Sequence, residues 1–127
     1  MQGDLCELTA QALQELYRSG SASPVEVMAA VLQRIERLDP AVNAFCQMAP
    51  DALDMARASQ TRWQRKRPLG PLDGVPISIK DNVAVAGLAT RYGSRVTDET
   101  PAPHDSPCVA RLRESGAICF AKTTLPD

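Results

Sequence analysis

The stretch GVPISIKDN, residues 74–82, decides how the chain is read. Val75 to Ile79 is a short, β-branched, mostly apolar run, the right length for a buried strand, and Pro76 sits near its start, where a missing N–H is tolerated. The run then stops on Lys80, Asp81 and Asn82. In open α/β sheets the carboxyl ends of strands are where ligands gather. Lys80 is therefore either a functional amine at a strand end or the point where the strand re-enters solvent, snorkelling outward or pairing with Asp81.

Downstream, AGLATRYGS (86–94) is irregular and punctuated by glycine. HDSPCVARLRESG (104–116) then offers Ser106 as N-cap, Pro107 at the first helical position, Val109 and Leu112 facing inward and Gly116 as a stop. AICFAK (117–122) follows as a second buried strand. Two strands joined through a helix predict a parallel pair, which is normally covered on both faces. Upstream, RPLGPLDG (67–74) is a turn-rich connector. Before it lie three helical patterns. Thr9 to Gly20 carries a stripe of Ala12, Leu13, Leu16 and Tyr17. The second runs from a capping box at Ser23, Pro24 and Glu26 to a stop at Pro40. The third spans about Pro50 to Lys66, with Leu53, Ala56 and Trp63 on one side. The expected organisation is a helical lead-in over 1–68 and the start of an α/β core over 69–127.

Composition narrows the function. The chain has 127 residues, is 44% hydrophobic and carries a formal charge of −1, the profile of one soluble domain with no general attraction to nucleic acid or anionic lipid. Its first residues lack a cationic and apolar leader, and Val83 to Ala89 is far too short to span a bilayer, so a cytoplasmic protein is expected. The basic run RWQRKR (62–67) reads as a solvated helix end that complements the dipole. Cys6, Cys46, Cys108 and Cys119 form no C-x-x-C pair, and His104, the only histidine, lies in a polar, proline-rich loop. A metal site is not expected, and the cysteines read as buried small hydrophobes.

Three ordered motifs carry a resemblance: GPLDGVPISIKDN (70–82), AGLATRYGS (86–94) and DSPCVARLRESGAICFAKTTLPD (105–127). In order and spacing they resemble the amidase signature family of serine amide hydrolases, and LTAQALQELYRSGSASPVEVMAAVLQRIERLDPAVNAF (8–45) resembles the helical lead-in of such enzymes. Ala121 stands where that family usually has glycine. The resemblance implies an α/β fold in which N-terminal helices precede a β-loop-α-β unit, itself part of a larger mixed-sheet amidase fold. It implies hydrolysis of a carboxamide C–N bond in a small-molecule amide, without cofactor or metal; from the charge balance, no nucleic-acid partner is expected. Lys80 then matches the general base, which draws a proton through a serine in a cis peptide from the nucleophilic serine. The glycine- and serine-rich segment carrying both serines does not occur among residues 1–127, so this chain is expected to be the N-terminal part of the enzyme. Two further readings stand beside this one: a transamidating protein of the amidotransferase A type, and a non-catalytic interaction module that keeps the lead-in helices.

The base role sets a physical requirement. An ordinary lysine titrates near ~10.4, so about one in a thousand is neutral at pH 7, and a downward shift of roughly three units corresponds to about 4 kcal/mol. Burial at the end of the apolar strand is the expected source, because desolvation disfavours the ammonium. Asp81, Asn82, Gly93 and Ser94 read as turn residues first and walls of a site second. Lys122 reads as structural or bordering the site, and Thr123 and Thr124 as hydrogen-bonding partners of a loop. Two strands cannot hide their own edges. The isolated chain is therefore expected to be oligomeric or aggregation-prone; light scattering checks this, and a sharp monomer with a cooperative thermal transition is the contrary result.

Overall fold

The computed structural model describes residues 4–125. After a single 3-10 turn at Leu5–Glu7 come helix α1 (Ala10–Ser19), helix α2 (Pro24–Val42), strand β1 (Phe45–Met48), helix α3 (Ala52–Gln64), strand β2 (Pro76–Lys80), helix α4 (Pro107–Glu114) and strand β3 (Ile118–Thr123). The strands form one mixed sheet in the order β1-β3-β2. β2 and β3 are parallel, from Pro76 opposite Ile118 to Lys80 opposite Thr123, as the β-loop-α-β pattern predicts. β1 runs antiparallel on the other side of β3, with Met48 opposite Ala121. The architecture is α/β.

The helix starts follow their local chemistry. Thr9 Oγ1 accepts from Ala12 N at 3.0 Å and Ser23 Oγ accepts from Glu26 N at 3.1 Å, each satisfying an orphan N–H of the first turn. α2 departs from expectation by running through Pro40 to Val42. Asn43 ends it instead, in the left-handed region at φ 51°, with its N–H on Asp39 O at 2.7 Å. The Asp39 carboxylate then accepts from Ala44 N at 2.7 Å and turns the chain into β1.

β1 is an element that residues 1–68 do not announce. It makes the lead-in part of the sheet, and the core is correspondingly shared. Met28 of α2 and Ala52 and Ala56 of α3 bury against Ile118, Phe120 and Ala121 of β3, with Phe45 and Phe120 rings 6.0 Å apart. On the other face Ile79, Cys119 and Val109 of α4 pack with Val85 and Leu88 from the long segment after β2. The cysteines do not behave as a class. Cys119 is buried in this central strand, whereas Cys46 and Cys108 are exposed and Cys6 is half-buried. Cys46 falls at a register irregularity of β1, and Cys108 lies on the open side of the first turn of α4.

Both parallel strands begin at one buried carboxylate. Asp73 is fully buried, accepts from Ser59 Oγ at 2.6 Å and Leu69 N at 2.7 Å, and takes two bonds from Arg62, Nε at 2.7 Å and Nη2 at 2.6 Å. Arg62 is thus not a solvated member of its basic run. Trp63 Nε1 donates to Asp73 O at 3.0 Å, and Tyr17 Oη donates to Gly74 O at 2.9 Å. Gly116, at φ 92°, has room for no side chain: a Cβ there would meet the Cα and Cβ of Asp73 at 2.6 Å. Gly74 N donates to Gly116 O at 3.0 Å and Ile118 N to Val75 O at 2.9 Å, which starts the ladder.

Burial raises the Asp73 carboxyl, and the bonds from Arg62, Ser59 and Leu69 N more than reverse it, holding the group below the ordinary carboxylate range. With the folded value below the unfolded one, this stabilisation is complete above the unfolded value of ~3.9 and is lost as pH falls through the folded value. Asp73→Ala is expected to cost about 3 kcal/mol, since it strands Ser59 and Arg62 without their acceptor. Urea denaturation checks this, and the stability gap between the parent and Asp73→Asn is expected to close below about pH 4.

Candidate active site

The carboxyl ends of β2 and β3 lie side by side at one edge of the sheet, with the start of β1 joining them: Asp81 N donates to Thr123 O at 3.0 Å and Thr124 N to Ala44 O at 2.9 Å. The Thr124 hydroxyl continues that link, donating to Asn43 O at 3.2 Å, so it ties β3 to the entry of β1 and not to the loop it was expected to meet.

Residues 81–106 contain no helix or strand, yet side chains of β1, of β3 and of the segment itself pin them. Lys122 of β3 is fully buried and donates to Val83 O at 2.7 Å and Thr90 Oγ1 at 3.3 Å. Gln47 of β1 bonds both backbone groups of Ala89, each at 3.1 Å, as a neighbouring strand would. Ser106 Oγ accepts from Ala84 N at 2.9 Å, and Asp105 accepts from Ala86 N at 2.7 Å. Ser106 does occupy the N-cap position of α4, but its hydroxyl serves this segment and makes no cap bond to the helix. Asp81, 2% exposed, accepts from Arg91 N at 3.2 Å through its carboxylate and from Tyr92 N at 3.0 Å through its carbonyl.

These bonds set the turn at Tyr92 and Gly93, both at positive φ (53° and 71°), over the strand ends. The result is a cleft of about 710 Å³ walled by Cys46, Asp81, Arg91, Gly93, Ser94 and Thr124, among others. Gly93 and Ser94 thus belong to a turn and wall this cleft, which Lys80 does not line. Cys46 Sγ faces Lys122 O at 3.5 Å. Its thiol is pushed up, by desolvation first and then by the charge of Asp81, so it is not a ready thiolate. His104 is exposed in its loop.

The burial expected of Lys80 falls to Lys122 instead, whose structural reading fits its place. Lys80 is exposed and Lys122 is the buried one. Topology explains this. β3 is central and covered on both faces, whereas β2 is an edge strand. Ile77 and Ile79 of β2 face the core, while Ser78 and Lys80 alternate to the opposite side and are exposed. Isoleucine neighbours bury one face of a strand and leave the other to its surroundings. Lys80 is exposed, whereas Asp81, in the turn that follows it, is buried. Sequence reasoning also passed over Gln47, whose only signal is a polar residue in a short β-compatible run. Among the described residues no cluster of histidine, cysteine, aspartate and glutamate is placed to hold a metal ion.

Comparison with known proteins agrees with this geometry. The Amidase family model matches residues 26–127. The A-type subunit of glutamyl-tRNA(Gln) amidotransferase from Salinispora arenicola (strain CNS-205) is 40% identical over 125 residues, 98% of this chain and 26% of that protein. The crystal structure of native peptide amidase from Stenotrophomonas maltophilia superposes with a TM-score of 0.88 at 35% identity, covering 94% of this chain and 25% of that one. A bacterial aryl acylamidase of the amidase signature enzymes superposes with a TM-score of 0.83 at 29% identity, covering 94% and 25%. The chain thus spans about a quarter of the length of the curated relatives it matches. With the signature motifs placed on β2, the pinned segment and β3, and with a match over most of its length, the chain belongs to the amidase family, the amidase signature enzymes.

Proposed function

We propose that this chain supplies the lysine-bearing strand of an enzyme that cleaves a carboxamide C–N bond, with Lys80 as the general base. The observation that carries the reading is the placement of Lys80. It is the last residue of β2, at the carboxyl edge of the parallel pair, exposed and with no ion-pair partner among the described residues. A base for amide hydrolysis must accept a serine proton and later return a proton to the departing amine, and only a neutral amine can do the first. Further chain laid over the open face of β2 would remove water from Lys80 and favour that neutral form. The serines come by family resemblance from a segment that residues 1–127 do not contain. Ser78 is no substitute: it lies one alternate position back, about 6.6 Å along the strand, and shows no bond to Lys80.

The second reading is transamidation, in which nitrogen released from one amide is passed to an acyl acceptor. The name of the Salinispora relative, at 40% identity, supports it. The two readings share the same first half-reaction. They part on the substrate: glutamine cleavage that rises when an acyl acceptor is added favours transamidation, and turnover of simple carboxamides by the enzyme alone favours hydrolysis.

The 127-residue chain by itself is expected to hydrolyse no aryl or aliphatic amide above background, since no described residue places a serine against Lys80; turnover blocked by a serine-directed reagent is the contrary result. In the enzyme that carries the family's full length, Lys80→Ala is expected to lower kcat by about 10²- to 10⁴-fold, the usual weight of a general base. Lys80→Arg is expected to fall as far, because guanidinium stays protonated. Both are expected to leave the enzyme folded, since Lys80 makes no ion pair among the described residues. Steady-state kinetics beside thermal midpoints check this, and activity retained in Lys80→Arg removes the base assignment.

A further inference from the structure

Lys80 and Asp81 are consecutive, oppositely charged and at a strand end, the setting in which a surface pair would be expected. They do not pair. The Asp81 carboxylate lies inside, 3.4 Å from the ammonium of the buried Lys122, and accepts from Arg91 N. We propose that Lys122 is a positioning residue for Lys80: by holding the Asp81 carboxylate on the far side of β2 and cancelling its charge, it leaves the Lys80 amine without an acidic partner.

Three observations carry this. First, Lys122 is fully buried, so its ammonium cannot drift to solvent and must be matched by fixed groups. Val83 O at 2.7 Å, Thr90 Oγ1 at 3.3 Å and Ala89 O at 3.5 Å supply dipoles, and Asp81 supplies the only full negative charge it meets among the described residues. Second, the surrounding charges leave Asp81 to Lys122. The ionisable groups at this edge are Lys80 of β2, Asp81 just past it, Lys122 of β3, Cys46 of β1, and Arg91, Arg95 and Glu99 of the loop. Arg91 is engaged by Glu99 at 3.0 Å, and the Cys46 thiol is held neutral. Third, the two side chains lie apart: Lys80 is exposed, whereas Asp81, the first residue past β2, is 2% exposed and turned inward to Lys122.

The consequence is electrostatic. A carboxylate free to reach Lys80 would lower the neutral fraction of its amine by about threefold to tenfold, after solvent screening. For a base, that loss passes directly into rate. The proposal rests on the general-base reading for its catalytic meaning, but the charge arrangement is testable without turnover. Lys80→Arg retaining activity would remove the base and leave the result below standing, and failure below would leave the Lys80→Arg result untouched.

The sequence has three lysines, Lys66, Lys80 and Lys122, of which Lys66 and Lys80 are exposed, so Lys66 serves as an internal reference for amine reactivity. Trace acylation with an N-hydroxysuccinimide ester at low salt, read by mass spectrometry as the Lys80-to-Lys66 ratio, reports the neutral amine. In Lys122→Met the freed carboxylate is expected to slow Lys80 by about threefold or more. Lys80 is already exposed, so loosening of the structure cannot produce that slowing. In Lys122→Met with Asp81→Asn the ratio is expected to return to that of the parent. This double change removes a buried pair as a unit, which proteins tolerate, and it decides the matter even where the single variant fails to fold. An unchanged ratio in folded Lys122→Met, or a Lys80 that reacts about threefold or more faster than the parent in the double variant, would mean that Asp81 already pairs with Lys80 and would overturn the proposal.

Discussion

Asp73 is the point on which the sheet depends. A buried carboxylate is costly unless every acceptor site is used, and here α3 contributes Ser59 and Arg62 while the connector contributes Leu69 N. Those partners fix the connector against the helix layer, and Gly74 then hands the chain to β2 at a set height. Gly116 meets the backbone of Asp73 so closely that β3 must start beside it. The start of the parallel pair is thus fixed at its first residues, and one irregularity between Ile77 and Ser78 then shifts the register before Lys80 comes opposite Thr123. Tyr17 and Trp63, with rings 5.9 Å apart, bring α1 and α3 to the same node.

A second buried charge does the equivalent work at the other end. The segment after β2 pairs its own backbone only at isolated bridges, such as Gly87 N to Ala102 O at 2.9 Å, so other backbone groups take side-chain partners. Lys122, Gln47, Asp81, Asp105 and Ser106 supply them. An irregular segment held by five side chains from several parts of the chain can be as definite as a strand, and it presents backbone and small residues to a cleft where a helix would present bulk. This is how the family's motifs become one surface: the first motif makes the strand, the second the wall, and the third the lysine that pins the wall to the sheet.

Much of this was legible in the sequence. The apolar runs 75–79 and 117–121 announced their strands, the intervening helix announced their parallel pairing, and Thr9 and Ser23 announced helix starts. What was not legible has a common cause, namely that it depends on which elements become neighbours. Four residues, Phe45 to Met48, become a strand because β3 is there to pair with. Whether a strand-end lysine is buried depends on whether its strand is central or at an edge, and VPISIK and AICFAK look alike on that question. Arg62 sits in a run whose other cations are solvated, and only the position of Asp73 separates it from them. Ser106 has the sequence of a cap, but a nearby amide, Ala84 N, competes for its hydroxyl.

The strand order β1-β3-β2 also has a temporal side. The strand at the centre is the last of the three along the chain, so β1 and β2 have no partner until β3 has been made, and Phe45 must find Thr123 across most of the sequence. Closing such distant pairs is slow compared with forming local helices. During synthesis α1, α2 and α3 can gather around their own apolar stripes first, while two unpaired strands wait with open edges. That interval is when the nascent chain is most exposed to edge-to-edge association. Its length is governed by how soon the residues from Ile118 to Thr123 leave the ribosome.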